Sequence, residues 1–590
     1  MGALPDEPVL AAAGSSAARA IPSSRETWFA VLVVAVAYLS VFPYYPQINN
    51  PNENARFYMT AAMSERGSYI IDQERARWGW VNDCAVREGH AYSVKAPATS
   101  FFGVPAYWAY YTYTQATGRD FDREVALYLC RLTASILPWL LFLFFFHPFL
   151  GRHTSSPLVR DAVFYSIALG SCLFGYGILF MSHTLSAAAA FGAFMILHDA
   201  SRAGRIRTMR AFVAGLLAAL VTLLEYPGFA ASVVLTVYAL FVLRPWQRFL
   251  PYSIGGLLPT LAMMHFQWQC FGSPFSPGHL YVESDFFRER HEQGFFGAVG
   301  LQWDAVYGLL VHPGAGLFTL TPILILGVIG VIWLLRRPAH RREGMVVLSV
   351  VGITLAGIAV MNNWRGGWTI GPRYLVLVYP FLAWAALYGI EPWVRARPRA
   401  AAAIAIGALL AGLVLSGIPS AYYPHYPMEV DRPLTQVVSV LVQHDFAPYT
   451  WLNRFGVYGE LSMLPLLAAL VVAFGAAISA ARTHRVRMAG LGFGLVIGAL
   501  WIAPMSLDPA PEDPEVRDAV ALIARTWTPA GHDRASQLER RLLAHADRAG
   551  YLELAEVYDR EGRLREAQRA RARAESLGDT ADSPAHASAP

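Results

Sequence analysis

Apolar runs recur along this chain near residues 27–45, 124–147, 160–180, 183–199, 211–226, 228–243, 250–268, 316–335, 344–361, 373–390, 400–418, 459–480 and 488–505. Most approach or exceed the roughly 18 residues that a helix needs to cross a bilayer. No soluble fold has interior enough for so many. The charged fraction agrees: 15% of residues are Asp, Glu, Lys or Arg, against about 25% in an ordinary soluble protein. The expected fold class is therefore an all-α polytopic membrane protein of about thirteen spans. The first 25 residues are Ala/Ser/Pro-rich and weakly charged, so the first apolar run is read as a retained span rather than a cleaved signal.

Arginine placement orients the spans. The segments 201–210 and 336–343 hold four arginines each, and 394–399 and 482–487 hold three each. They alternate with connections that have almost none. By the positive-inside rule the Arg-rich set is cytoplasmic. The N-terminus is then inside and the C-terminus outside. Arg152 and Arg160 fall inside too, so the aromatic run 97–115, which contains Pro105, cannot cross. It is expected to lie as an interfacial helix on the outer surface. In this frame the unusual polar features all face outward: the Asn52–Lys95 loop, His183, Glu225, the loop 269–315, Asn362–Arg373 and the loop 419–458. A cavity opening toward the outer leaflet accounts for that segregation.

The expected organisation is a disordered cytoplasmic N-terminus (1–26), a membrane domain (27–505) whose first outer loop with its interfacial helix spans 46–123, and a Pro/acidic linker (506–535). A helical segment at 536–576 has the helix–turn–helix pattern of a tetratricopeptide repeat, and a disordered end follows at 577–590. One repeat cannot bury its own face. The segment is expected to pack on the membrane domain, to offer a helix to a protein partner, or to be a solvated helix pair.

The net charge of +5 is carried by scattered arginines, with no basic face interleaved with aromatics, so no nucleic-acid partner is expected. Four cysteines, Cys84, Cys130, Cys172 and Cys270, form no CxxC pair. They point to neither a zinc ribbon nor a redox dithiol, although a Cys84–Cys270 disulfide is open to a chain with both outside the membrane. The Asp and His positions of the outer loops are too dispersed for a metal site, and neither a divalent metal nor another resident cofactor is expected.

The first outer loop holds the richest chemistry. Glu53, between Asn52 and Asn54 at the exit of the first span, is placed either to take a proton from an incoming hydroxyl or to cap a helix. Asp83 is a second candidate base, in a loop with Arg87, Glu88 and His90. Lys95 is the only lysine beside 46 arginines. Its compact ammonium, near Tyr92 and Ser93, suits either a lipid-linked phosphate or unselective contact with lipid head groups. His183 and Glu225 sit at span boundaries, where ionisable groups are functional candidates; Glu225 alternatively satisfies donors freed by Pro227. The turn MNNWRGGWTIGPRY offers Trp364 and Trp368 for sugar stacking and Arg365 and Arg373 for phosphate, or simply an aromatic belt. The loop at 270–297, rich in Gly, Pro and aromatics, suits a lid or an acceptor surface.

Seven of these segments in order resemble the polytopic glycosyltransferases of the GT-C type, such as the protein O-mannosyltransferases and the bacterial lipid A aminoarabinose transferase. They are NENAR (52–56), EGHAYSVKAP (88–97), SHTLSAA (182–188), EYP (225–227), FGSPF (271–275), GLLVHPGAGLFTLTP (308–322) and WRGGWTIGPRY (364–374). The resemblance covers roughly residues 27–390. It implies a hexosyl or pentosyl transferase of the bacterial cytoplasmic membrane. Such an enzyme takes the sugar from a polyprenyl-phosphate donor and passes it, with inversion at the outer face, to a glycan, lipid or protein hydroxyl. It implies Glu53 as base and Lys95 as phosphate contact; beside them, Arg56, Tyr92, His183, Glu225, Tyr226, Trp364, Arg365 and Arg373 are the expected substrate-binding residues. The chain departs from its kin in having Asn-Glu-Asn at the base motif, and YSVKAPAT lacks an aspartate and a glycine found in close relatives. Two rival readings use the same scaffold: a lipid or glycan transporter, and a non-catalytic envelope scaffold. The ionisable residues within spans cluster at outer ends rather than along a continuous path, which disfavours transport.

Overall fold

The computed structural model describes residues 19–41, 51–294, 297–428, 430–443, 448, 450–457, 459–506, 535, 538, 542, 547–560 and 564–577. Most of the expected disordered termini and of the linker lie outside these.

The described chain is helical apart from one two-stranded hairpin. Helix α1 (Ser24–Ser40) is followed by α2 (Pro51–Arg66), a short helix at Asp72–Trp78, the hairpin β1 (Cys84–Arg87) and β2 (His90–Ser93), and α3 (Ala98–Thr117). Then come α4 (Arg123–Gly151), α5 (Pro157–Ala168), α6 (Cys172–Gly177), α7 (His183–Ala203), α8 (Thr208–Leu224), α9 (Phe229–Val242) and α10 (Phe249–Phe271). Beyond a loop with short helices lie α11 (Pro322–Arg336), α12 (Pro338–Ala359), α13 (Arg373–Ala396), α14 (Pro398–Tyr422), α15 (Glu460–Ser479) and α16 (His484–Ser506). The tail contributes α17 (Arg548–Arg560) and α18 (Leu564–Ser576).

Six helices among the described residues, α4, α12, α13, α14, α15 and α16, are long and apolar enough to cross a membrane; α8, α11 and the run Tyr226–Val242 are apolar but shorter. The expected count of about thirteen rests on sequence alone, and two of its runs are interrupted for local reasons. The run at 160–180 is split because Ser171 is extended and caps a new helix by accepting from the Leu173 N–H. The run at 316–335 is split at Thr321 (φ −139°), since a proline at 322 disfavours helical backbone before it.

The first loop adds a strand pair that the all-α expectation did not include. It carries the hairpin, with Glu88 (φ 54°) and Gly89 (φ 82°) at its tip. Positive φ at both central residues is what a tight, right-twisted two-residue turn requires. The register pairs Cys84 with Ser93 and Arg87 with His90, which sets Asp83 opposite the residues just after β2. Helix α3 forms where the interfacial helix is expected and packs on α2 and the start of α4. Phe102, Trp108 and Tyr113 on its surface stay exposed.

A hydrophobic cluster separate from the main bundle core holds this loop unit together. It contains Phe57, Tyr58, Met59, Tyr92, Phe180 and Phe271, with Cys84, Cys130 and Cys270 among them. All four cysteines are free and buried. The Cys84–Cys270 disulfide left open by the sequence is therefore not formed in this structure. In the tail, α17 and α18 pack on each other around Leu554, Ala555, Tyr558, Ala567 and Ala570.

Candidate functional site

A cavity of about 1360 Å³ lies between the first-loop unit and helices α8, α9 and α10. The lining from α8, α9 and α10 is uncharged and mostly apolar, whereas the charged lining residues come from the other segments; these two parts are called its apolar and polar ends. Asn52 and Arg56 enter the polar end from α2, Lys95 from the segment after β2, and His183 from the start of α7. Glu225 and Tyr226 come from the α8–α9 junction, and Arg373 and Tyr374 from the start of α13. The apolar end is a trough lined by Leu223, Phe229, Val233, Val237, Leu257 and Met263. Phe229, Val233, Val237 and Leu257 are exposed on the protein surface, so the trough opens sideways between helices.

The sequence builds the polar end by breaking helices. Helix α8 stops at Leu224, because Pro227 cannot continue it, and Glu225 takes extended backbone (φ −145°, ψ 120°) before a 3₁₀ turn at Tyr226–Gly228. That break turns the Glu225 carboxylate out of the helix and into the cavity wall. Its Oε1 receives the Ser182 hydroxyl in a short hydrogen bond, stands 3.1 Å from His183 Nδ1 and lies 3.5 Å from Arg56 Nη2. Arg56 Nη2 in turn donates to Ser182 Oγ at 2.6 Å, and its Nη1 donates to the Asn52 carbonyl at 3.1 Å and to the Asn52 side chain. Ser182 thus relays between guanidinium and carboxylate.

The hairpin register places Lys95 Nζ 3.0 Å from Asp83 Oδ2, each side chain about one-sixth exposed at 17% and 16%. Arg373 stacks over the Tyr374 ring at 4.9 Å and donates to its hydroxyl at 3.0 Å. Three buried nitrogens on this wall, Arg56 Nε, His183 Nε2 and Arg373 Nε, make no hydrogen bond among the described residues. A buried polar atom without a partner costs about 1–3 kcal/mol, and a polar ligand in the cavity would supply these three with partners. Of the described residues that line the cavity, Arg56, Lys95, Arg290 and Arg373 are cationic and Glu225 alone is a carboxylate. The polar end therefore favours an anion.

Among the residues picked from sequence, the structure brings Arg56, Lys95, His183, Glu225, Tyr226 and Arg373 to the cavity. It does not bring Glu53, Asp83, Tyr92, Trp364 or Arg365 to the lining. Glu53 is fully buried on α2 and grips Arg131 with both oxygens, at 2.6 and 2.7 Å. Its Oε1 also accepts the Phe180 backbone N–H at 2.6 Å. Asp83 stands behind Lys95. Tyr92 packs on Phe271 with ring centroids 5.9 Å apart. Trp364 covers Gly308, where an added Cβ would come within 2.1 Å of the indole. Arg365 donates to the Val430 carbonyl at 2.9 Å. Trp364 and Arg365 thus make contacts within the fold, while Trp368 of the same turn stays exposed. Sequence reasoning passed over Gln267, Asn362 and Tyr374, which also line the cavity. Gln267, a buried amide inside the apolar helix α10, was the one with a readable signal.

Neither a protein-family model nor a curated protein matches the chain. Solved structures do. The chain is similar to ArnT from Cupriavidus metallidurans, both in the apo state and bound to undecaprenyl phosphate. In each comparison the identity is 13% and the TM-score 0.42, over 81% of this chain and 77% of that one.

Proposed function

We propose that this protein is a membrane glycosyltransferase of the bacterial cytoplasmic membrane. It moves a sugar from a polyprenyl-phosphate donor to an acceptor hydroxyl at the outer face, with inversion. The observation that carries this reading is the divided cavity: cations gathered at one end and an apolar trough, open between helices, at the other. A lipid whose head is a sugar phosphodiester has that same division. The polyprenyl chain lies in the trough between α8, α9 and α10, entering sideways. The phosphate lies among Arg56, Lys95 and Arg373, where the orphaned Arg56 and Arg373 nitrogens gain an acceptor.

The chemistry follows from that placement. As the bond from the anomeric carbon to the phosphate oxygen breaks, charge grows on the phosphate, and fixed cations already in place stabilise it without reorganising. Holding the acceptor in line supplies much of the remaining acceleration. A retaining double displacement needs a second carboxylate as nucleophile beside the base. Glu225 is the one carboxylate lining the cavity among the described residues, which favours a single inverting displacement. The cations in this reading are side chains, and it needs no resident cofactor.

The test is transfer of radiolabelled sugar from a panel of polyprenyl-phosphate sugars to membrane acceptors, comparing wild type with Lys95→Ala and Arg373→Ala. Wild type is expected to give product, and each variant to lose about 100-fold or more, the cost of removing one charge-stabilising donor. Wild type inactive with every donor, or both variants at the wild-type rate, overturns the proposal.

A further inference from the structure

We infer that the acceptor's proton is taken by Glu225, through Oε2, and not by the first-loop acid Glu53. The inference rests on the transferase reading above. Its basis is the unequal state of the two Glu225 oxygens. Oε1 is held by Ser182, His183 and Arg56. Oε2 receives no hydrogen bond among the described residues, and the side chain is 18% exposed at the cavity wall. One oxygen anchors the group and the other is left for a ligand. Glu53 has the opposite arrangement. At 0% exposure, both of its oxygens are bound by Arg131 and one also by the Phe180 N–H. It could not meet an acceptor without breaking a buried, bidentate ion pair. Asp83 is tied to Lys95, the cation assigned to the phosphate.

The step balances without any further reactant. The acceptor oxygen attacks the anomeric carbon, and its proton passes to Glu225 Oε2. The carbon–oxygen bond to the phosphate breaks, and polyprenyl phosphate leaves with the bonding pair. Glu225 returns the proton to water when the cavity reopens. Ser182 and His183 are positioning residues: together with Arg56, which also meets the phosphate, they hold Oε1 and so fix which oxygen faces the acceptor. The conformation that presents it exists because the helix breaks before Pro227.

The experiment uses the full chain in membranes, with three readouts. The first is transfer rate at saturating donor for wild type, Glu225→Gln and Glu225→Ala. The second is binding of polyprenyl phosphate to each, which a lost base leaves intact. The third is rescue of Glu225→Ala by added formate, whose carboxylate can occupy the vacated space; a purely structural defect would not respond. Loss of a general base is expected to slow Glu225→Gln by about 100- to 10,000-fold, with polyprenyl phosphate binding retained and formate raising the Glu225→Ala rate. Transfer by Glu225→Gln at the wild-type rate overturns the assignment alone. So does weakened binding with an unchanged saturated rate, which makes Glu225 a binding residue. A wild type that transfers from no donor overturns the transferase reading itself and this assignment with it.

Discussion

Glu53 and Glu225 show how little a residue's type says about its work. Both are glutamates beside helix ends. Glu53 closes on Arg131, which sits at the edge of a π-turn (Leu132–Ile136) within α4. Together with Phe180 it ties α2, α4 and the approach to α7 at one buried point. Removing one partner of such a pair leaves an uncompensated buried charge, a loss of about 3–5 kcal/mol. Glu53→Gln is therefore expected to lower the thermal midpoint in detergent markedly. Pairing it with Arg131→Met is expected to recover a good part of that loss, because no charge is then stranded. A Glu53→Gln protein as stable as wild type would contradict the ion-pair account. Lys95 makes the complementary point: the chain's single ammonium is the cation that fits between Asp83 and the cavity.

At the scale of elements, the cavity depends on how closely α8 and α10 approach. Gly215 and Gly255 face each other's helices. A Cβ on Gly215 would fall 1.8 Å from the Tyr252 carbonyl oxygen, and one on Gly255 would fall 2.0 Å from that of Phe212. Backbones can meet this closely inside a membrane only where a residue has no side chain. Gly215→Leu is expected to force α10 away and spoil the trough, with binding of polyprenyl phosphate and transfer falling together by at least about tenfold, a penalty of only 1.4 kcal/mol. Gly256→Ala is the matched control, since its nearest neighbour would stand 3.5 Å away, and it is expected to bind and transfer normally. The hairpin is the other decisive element. Its register is what sets Lys95 against Asp83.

The whole molecule is a bundle core, the loop unit seated on it, and a tail pair with its own small core. Apolar side chains such as Phe493, Val496 and Leu500 on α16 face outward, as a lipid-facing helix requires. His425, in the loop after α14, links global stability to pH. Burial first, then Arg131 and Arg373, hold its imidazole down to about 3. The unfolded imidazole protonates near pH 6.5 while the folded one stays neutral. Below about 6.5 the unfolded state therefore binds more protons, and stability falls by up to about 1.4 kcal/mol per pH unit until about pH 3. Above pH 6.5 this group contributes no slope. Thermal unfolding in detergent is expected to weaken from pH 6.5 to 4, and His425→Gln to flatten that fall; an unchanged slope would refute it.

Sequence by itself determined that this chain is built from apolar membrane-length helices, and it picked out segments that the fold brings to one cavity. Apolar run length has few structural answers, and the loops holding Arg56, Lys95, His183, Glu225, Tyr226 and Arg373 stood out because ionisable groups are costly at membrane boundaries. That α3 and the tail segment are helical was legible in the local sequence pattern. Only the tertiary structure decided which side chains face the cavity. A carboxylate's role depends on its partners, and those of Glu53 and Glu225 lie 78 and 43 residues away in the chain. No local pattern tells a glutamate held on both oxygens from one held on a single oxygen. The hairpin escaped notice because its strands are four residues each, too short for alternation to register. Trp364 and Arg365 meet Gly308 and Val430, which are far along the chain, so their contacts could not be read from the local pattern. Secondary structure follows from neighbours in sequence, whereas the site is made by neighbours in space.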